Sequence, residues 1–124
     1  MKLVQVLLRL EGLAIFAATT WAYFALHHGS VIAYAVLLLA PDLGMVGYLR
    51  DTRVGAWTYN LVHNEALPVA LLVAGLAGGS EVALTAALIL GAHVGMDRAF
   101  GFGLKFPERF TDTHLGRLGI APPV

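Results

Sequence analysis

The sequence predicts an all-α integral membrane protein, a bundle of four transmembrane helices with both termini on the cytoplasmic side. Three observations lead to this prediction. The hydrophobic fraction is 58% and the charged fraction only 13%, against about 25% charged residues in a typical soluble domain. The apolar residues form four long runs, each close to the roughly 20 residues that a helix needs to cross a bilayer. The basic residues cluster in regions that fall on one side of such a bundle.

The four predicted spans follow one another with short connections. They cover about residues 4–26, 31–49, 54–77 and 82–104. Connections this short make neighbouring helices antiparallel. The first apolar run continues past Glu11 to Leu26, which is too long for the core of a signal peptide, so we interpret it as a retained helix. The chain 1–124 is then a single domain that ends in a short tail, residues 105–124.

A soluble four-helix bundle is the structural alternative, and it requires a broad polar stripe on each helix. No such stripe is present: besides aromatic residues, only Thr19 and Thr20 are polar between Gly12 and Leu26. The orientation follows from the positive-inside rule. The first and third turns lack Lys and Arg, whereas the N-terminus, the second turn and the tail contain Lys2, Arg9, Arg50, Arg53, Lys105, Arg109 and Arg117.

The charge balance limits the partners and the ligands. Eight basic and eight acidic residues give no net charge, which argues against a nucleic-acid partner and leaves membrane lipids as the expected surroundings. Without cysteine, a metal site would have to use histidine, carboxylate or amide groups.

Polar residues inside the predicted spans are costly in lipid and therefore need a partner or a function. At about 1.5 Å of rise per residue, one group of them lies at similar depth in the cytoplasmic half: Glu11, Asp42, Asn60, His63, His93 and Asp97. Asn60, His63 and Asn64 share one helix face, and His93 and Asp97 share another. The sequence therefore predicts one polar cluster between the helices. Glu65 points away from His63 and has no role in this cluster.

The leading hypothesis for this cluster is a metal-assisted enzyme, hydrolase-like, that acts on a lipid or another membrane-soluble substrate. Nitrogen and oxygen ligands without sulfur suit zinc, manganese or iron. The predicted metal ligands are Asp42, His63, His93 and Asp97. The predicted catalytic residues are Glu11, His93 and Asp97. The predicted substrate-binding residues are Asn60, Arg98, Lys105 and His114, with Asp112 and His114 closing the site if the tail folds back.

Two alternatives from other functional classes stay open. The polar residues could form a purely structural network of hydrogen bonds between the helices, without chemistry. They could also relay protons or ions, and this third function would require a homo-oligomer because four helices alone enclose no pore. No His-Glu-x-x-His pair is present in the sequence to favour the enzyme.

Several motifs occur in an order that resembles a known family of small bacterial membrane proteins, domain of unknown function 4260. They include Leu8-Arg9-Leu10-Glu11-Gly12, Ala40-Pro41-Asp42-Leu43, Tyr59-Asn60-Leu61-Val62-His63, His93-Val94-Gly95-Met96-Asp97-Arg98 and Asp112-Thr113-His114-Leu115-Gly116. The resemblance implies a bacterial inner membrane but no activity. Phe102 and Phe106 stand where the family pattern leads us to expect tyrosine. A looser similarity, of pattern only, is to membrane-bound metal-dependent hydrolases.

Overall fold

The computed structural model describes residues 2–117, so residues 118–124 of the predicted tail lie outside it. Four helical segments are long and apolar enough to cross a membrane: Leu3–Leu26, Val31–Leu49, Thr52–Gly78 and Glu81–Phe100. The predicted four-helix membrane architecture is confirmed. The side of the membrane on which the termini lie stays a prediction.

Two of the four spans contain a break, and a third changes its winding. The first span consists of α1 (Leu3–Trp21) and a π-helical turn (Ala22–Leu26). The second consists of α2 (Val31–Leu37) and a 3-10 segment (Ala40–Leu49). The third consists of α3 (Thr52–Val62) and α4 (Ala66–Gly78), and the fourth is the single helix α5 (Glu81–Phe100). A short hairpin follows, formed by β1 (Asp112–Thr113) and β2 (Gly116–Arg117).

Helix α5 forms the centre of the bundle, and it packs against both α1 and α4. Small residues allow the close approach to α1: a Cβ atom added at Gly95 would lie 2.6 Å from the backbone nitrogen of Phe16. Ser80 caps the start of α5 by accepting the Ala83 N–H. The helix ends four residues earlier than the predicted residue 104, because Gly101 takes a left-handed conformation with φ of 90°.

Two prolines account for the breaks in the second and third spans. Pro41 has no N–H to donate, and the next residue, Asp42, bonds to the Leu39 carbonyl three residues back at 3.1 Å. The Leu38 carbonyl therefore accepts no hydrogen bond within the helix. In the third span the ring of Pro68 is incompatible with a continuous helix through residue 64. The predicted spans 31–49 and 54–77 therefore each contain a break.

The tail folds back onto the cytoplasmic ends predicted for the helices. The Asn60 side chain forms two hydrogen bonds with the backbone of Lys105, each 2.7 Å long. Lys105 also pairs with Thr113 as an isolated β-bridge, and the Gln5 amide donates to the Leu115 carbonyl at 3.0 Å. The hairpin therefore lies against the bundle, next to the polar residues of α3 and α5.

Candidate metal centre

Four of the predicted site residues meet between three spans. Asp42 comes from the 3-10 segment, His63 from the end of α3, and His93 and Asp97 from one face of α5. One ligand atom from each lies within 4.8 Å of the others. The two histidine side chains are fully buried, whereas the Asp42 side chain is 41% exposed. The structure confirms that the four predicted ligands form one cluster that could hold a metal ion.

Backbone carbonyl groups determine the tautomer of both histidines. His63 Nδ1 lies 2.8 Å from the Tyr59 carbonyl oxygen, and His93 Nδ1 contacts the Leu38 carbonyl oxygen. A carbonyl oxygen can only accept a hydrogen bond, so each Nδ1 carries a proton. In the neutral imidazole Nε2 then presents a lone pair. Metal-binding histidines are commonly oriented by such a second hydrogen bond.

The remaining contacts bring together atoms that all accept hydrogen bonds when the histidines are neutral. The two Nε2 atoms of His63 and His93 are 3.0 Å apart. Asp42 Oδ1 lies 3.4 Å from each of them, and Asp97 Oδ2 lies 3.6 Å from His63 and 3.4 Å from His93. Lone pairs and negative charge converge here, so the cluster needs a cation or an additional proton at its centre.

Five of these distances match those between the ligands of a four-coordinate metal. Bonds of about 2.0–2.1 Å, typical of zinc with histidine and carboxylate ligands, give a tetrahedron with edges of roughly 3.3 Å. Five edges run from 3.0 to 3.6 Å, and the sixth, between Asp42 and Asp97, is bounded by 4.8 Å. The donor set therefore suits a divalent transition metal once the exposed Asp42 side chain adjusts to close the sixth edge.

Residues 5–118 match the model of a protein family described as domain of unknown function (DUF4260). The chain belongs to this family. Membership confirms the resemblance drawn from the motifs, and it supplies no activity. Neither the curated proteins nor the solved structures contain a match to the chain.

Tyr59 belongs to the centre of this DUF4260 chain, although the sequence analysis did not select it. Its ring stacks on the His63 imidazole at 3.7 Å between centroids, and its hydroxyl donates to Asp97 Oδ2 at 3.4 Å. The signal was available, because Tyr59 precedes His63 by four residues and so shares its helix face. Tyr59 restrains both a histidine and a carboxylate of the cluster.

Two predicted substrate-binding residues hold the tail instead of lining the cluster. Asn60 uses both amide atoms on the Lys105 backbone. Lys105 is 5% exposed, and its ammonium group donates to the Phe110 carbonyl at 2.9 Å and lies 4.8 Å from the Tyr59 ring centroid. Burial lowers the pKa of Lys105, and the negative charge of Asp97 opposes that shift. Both residues also line a cavity of about 520 Å³, and their role toward a substrate stays a prediction.

Three further predicted site residues, Glu11, Arg98 and His114, line a separate cavity of about 190 Å³, which we call the second cavity. It is lined by Leu8, Glu11, Asn64, Glu65, Arg98, Leu104 and His114. Glu11 and His114 are thus separated from the four ligand atoms, and Glu65, for which the sequence offered no role, joins them here. Asp112 lies in the hairpin, where its carbonyl accepts the Phe106 N–H at 2.9 Å.

Arg98 connects this cavity to the metal-ligand cluster. Its Nη2 donates to the His63 carbonyl at 2.6 Å and its Nη1 to the Phe102 carbonyl at 2.7 Å. The His63 carbonyl needs this donor, because the Leu67 N–H that would bond it in a continuous helix donates to Asn64 Oδ1 instead. Arg98 therefore stabilises the break between α3 and α4.

An apolar groove of about 440 Å³ also approaches the cluster. It runs along α5 and is lined by Leu37, Ala40, Pro41, Leu71, Glu81, Val82, Thr85, Ala86, Ile89 and Leu90. Pro41 adjoins Asp42 in the chain, and Leu90 lies one helical turn before His93 and Val94. An apolar chain in this groove would have one end close to the exposed side of Asp42.

Proposed function

We propose that this protein is a membrane-embedded, metal-assisted enzyme, hydrolase-like, that acts on a lipid or another membrane-soluble substrate. Asp42, His63, His93 and Asp97 bind the divalent metal, which is zinc, manganese or iron. One observation carries the proposal: four acceptor atoms lie within 4.8 Å of one another while both histidines direct their Nδ1 protons to backbone carbonyls.

The chemical roles follow from the exposure of each ligand. A bound divalent ion supplies a Lewis acid and can lower the pKa of a coordinated water to about 7. Catalysis needs an open coordination position. Four protein ligands would fill a tetrahedral site, so a water or a substrate would have to take the place of Asp42, whose side chain is 41% exposed while the other ligands are buried. Asp97, held by the Tyr59 hydroxyl, is placed to accept a proton on the inner side of the cluster.

The surroundings support an apolar substrate. The apolar groove reaches Pro41, next to the exposed ligand, and the four helices are long and apolar enough to lie in lipid. The distribution of Lys and Arg supports a cytoplasmic location for the termini and for the open side of the site.

A second function, proton relay, is favoured by one contact. A distance of 3.0 Å between the two Nε2 atoms also suits a hydrogen bond from a protonated to a neutral imidazole. In that case a shared proton, instead of a metal, would occupy the centre of the cluster. Metal analysis separates the two functions directly.

The first experiment is elemental analysis of the protein purified in mild detergent without chelators and without a polyhistidine tag. We expect close to one equivalent of zinc, manganese or iron, lost in the His63→Ala and His93→Ala variants. His28→Asn is the matched control, because His28 is exposed and outside the cluster. No metal after reloading, or equal metal in all variants, would refute the metal centre.

The enzymatic part needs its own measurement. The metal-loaded protein in lipid nanodiscs would be incubated with a mixed bacterial lipid extract, and the products would be followed by mass spectrometry. We expect a product with the loaded protein and none with the stripped protein or with Asp42→Asn. A protein that binds metal stoichiometrically but converts no lipid in the extract would contradict the proposed hydrolysis and leave a structural metal site.

A further inference from the structure

The second cavity places charges of both signs inside the predicted membrane region. Arg98, which is 5% exposed, forms part of its lining. Glu11 and Glu65 lie on the other sides, and both are exposed. In the part of the chain that the structure describes, neither carboxylate forms a hydrogen bond or an ion pair within 4.0 Å, although Glu65 and Arg98 attract each other at longer range. Two carboxylates in a membrane span without a hydrogen-bond donor are costly unless a ligand or water supplies one.

The cavity also offers hydrogen-bond donors. A guanidinium has five N–H groups, and the two hydrogen bonds from Arg98 to the carbonyls of His63 and Phe102 use only part of them. His114 accepts the Leu104 N–H through Nδ1 at 2.8 Å. That contact requires a lone pair on Nδ1, so the proton of the neutral imidazole is on Nε2 and is available as a donor.

A simple anion or a simple cation fits this lining poorly. An isolated phosphate would meet Arg98 but would be repelled by Glu11 and Glu65. An isolated amine would meet the two carboxylates but would be repelled by Arg98. A ligand that carries both an ammonium group and an anionic oxygen satisfies both sets of residues, because each of its charges finds an opposite charge.

We propose that this cavity binds a zwitterionic aminoethyl phosphate group, with the ammonium at Glu11 and Glu65 and the phosphate at Arg98 and His114. The volume of about 190 Å³ is several times the roughly 10–15 Å³ that one water molecule requires, which is enough for a headgroup but not for acyl chains. The group can belong to a membrane lipid or to a free phosphoethanolamine. This binding goes beyond the proposed enzyme and does not depend on a bound metal.

The test measures binding of defined headgroups to the detergent-purified protein. The probes are phosphatidylethanolamine, phosphatidylcholine and phosphatidylglycerol with identical acyl chains, each added to micelles and counted by native mass spectrometry, together with soluble O-phosphoethanolamine. We expect retention of phosphatidylethanolamine above the other two lipids. Quaternary choline cannot donate hydrogen bonds to the carboxylates, and glycerol has no positive charge. Binding of soluble O-phosphoethanolamine as well would show that the headgroup alone is sufficient, whereas lipid binding without it would identify the lipid as the source.

Substitutions at the two carboxylates test the assignment of the ammonium. We expect Glu11→Gln and Glu65→Gln each to weaken phosphatidylethanolamine binding by about tenfold, as for a lost charge-assisted hydrogen bond. Both residues are exposed, so the variants are expected to fold. Glu108→Gln is the control, because Glu108 is also an exposed glutamate but lies outside this cavity and outside the apolar groove. Equal binding of all three lipids, or no effect of either cavity substitution, would overturn the proposal.

The metal centre is tested separately in the same assay. His63→Ala removes a metal ligand and leaves all seven side chains of the cavity in place. We expect this variant to bind phosphatidylethanolamine as the unchanged protein does. Loss of headgroup binding in His63→Ala, with normal binding by His28→Asn, would refute the independence of the two sites.

Discussion

Arg98 offers the strongest test of the fold, because its two hydrogen bonds satisfy backbone carbonyls that the helices themselves leave without partners. We consider Arg98→Met, which keeps an unbranched apolar stem and removes the guanidinium. The carbonyls of His63 and Phe102 then lose donors at 2.6 and 2.7 Å. An unsatisfied buried polar group costs about 1–3 kcal/mol, so the two carbonyls together cost about 2–6 kcal/mol. Removal of a buried cation also removes its desolvation cost, so we expect a value in the lower half of this range.

The assay is reversible unfolding in mixed micelles with increasing sodium dodecyl sulfate, followed by circular dichroism. The control is Arg53→Met, which removes an exposed arginine from the start of α3. A change of free energy within about 0.5 kcal/mol of this control, the range typical of surface substitutions, would show that Arg98 does not support the break. Arg98→Lys should recover part of the loss, because an ammonium can reach one carbonyl but not replace the fork of a guanidinium.

Three further predictions concern the packing and the tail. Gly95→Ala should destabilise the bundle by about 1–3 kcal/mol through overpacking, because its Cβ would lie 2.6 Å from a backbone nitrogen of α1. The control is Gly78→Ala, whose Cβ would have no atom within 4 Å, and it should cost nothing measurable in the same unfolding assay. Asn60→Ala should release the tail at Lys105 and accelerate its limited proteolysis while the helical content stays constant. Burial lowers the pKa of His114 below its ordinary 6.5, so the released tail binds a proton more readily than the docked tail. Docking should therefore be complete above about pH 6.5 and weaken below it. Amide exchange of the tail, corrected for intrinsic rates, measures this change.

Each of these three results has a contrary outcome. Equal unfolding free energies for the two glycine variants would contradict the close packing of α1 on α5. A tail that stays protease-resistant in Asn60→Ala would show that the hairpin docks without this side chain. Tail protection that is constant from about pH 7.5 to about pH 5.5, or that increases on acidification, would contradict the docking of the tail with a neutral His114. The variant His114→Gln should remove any pH dependence that this group causes.

The number of spans and the four ligands of the cluster were predictable because both depend on distance along the chain. Hydropathy locates the spans, and about 1.5 Å per residue places Asp42, His63, His93 and Asp97 at a common depth. Depth does not determine which face of a helix contacts its neighbour. Gly12 packs on α5 where a side chain would meet Arg98, and this contact directs Glu11, the adjacent residue, toward the second cavity. Depth alone could not separate Glu11 from the cluster.

The carbonyl groups of Leu38 and His63, which accept hydrogen bonds from His93 and Arg98, were not predicted for another reason. Hydropathy alone predicts an apolar span, and in a continuous helix the interior carbonyls are bonded within the helix. The Leu38 and His63 carbonyls are available only because the helical ladder is interrupted near Pro41 and Pro68. A proline in a predicted span indicates a break, but not which side chain from another helix will fill the vacant hydrogen bond.

These two interruptions explain how the cluster is organised without a spacing motif. In a bilayer no water satisfies a freed carbonyl, so a protein donor must reach it. The donors are His93 for the Leu38 carbonyl and Arg98 for the His63 carbonyl, both from α5. The first of these bonds commits Nδ1 of His93 and therefore directs Nε2 toward the carboxylates. The carbonyl groups freed at the two breaks need donors, and this need holds His93 and Arg98 in position. The geometry of the centre therefore depends on Pro41 and Pro68, although neither is a metal ligand.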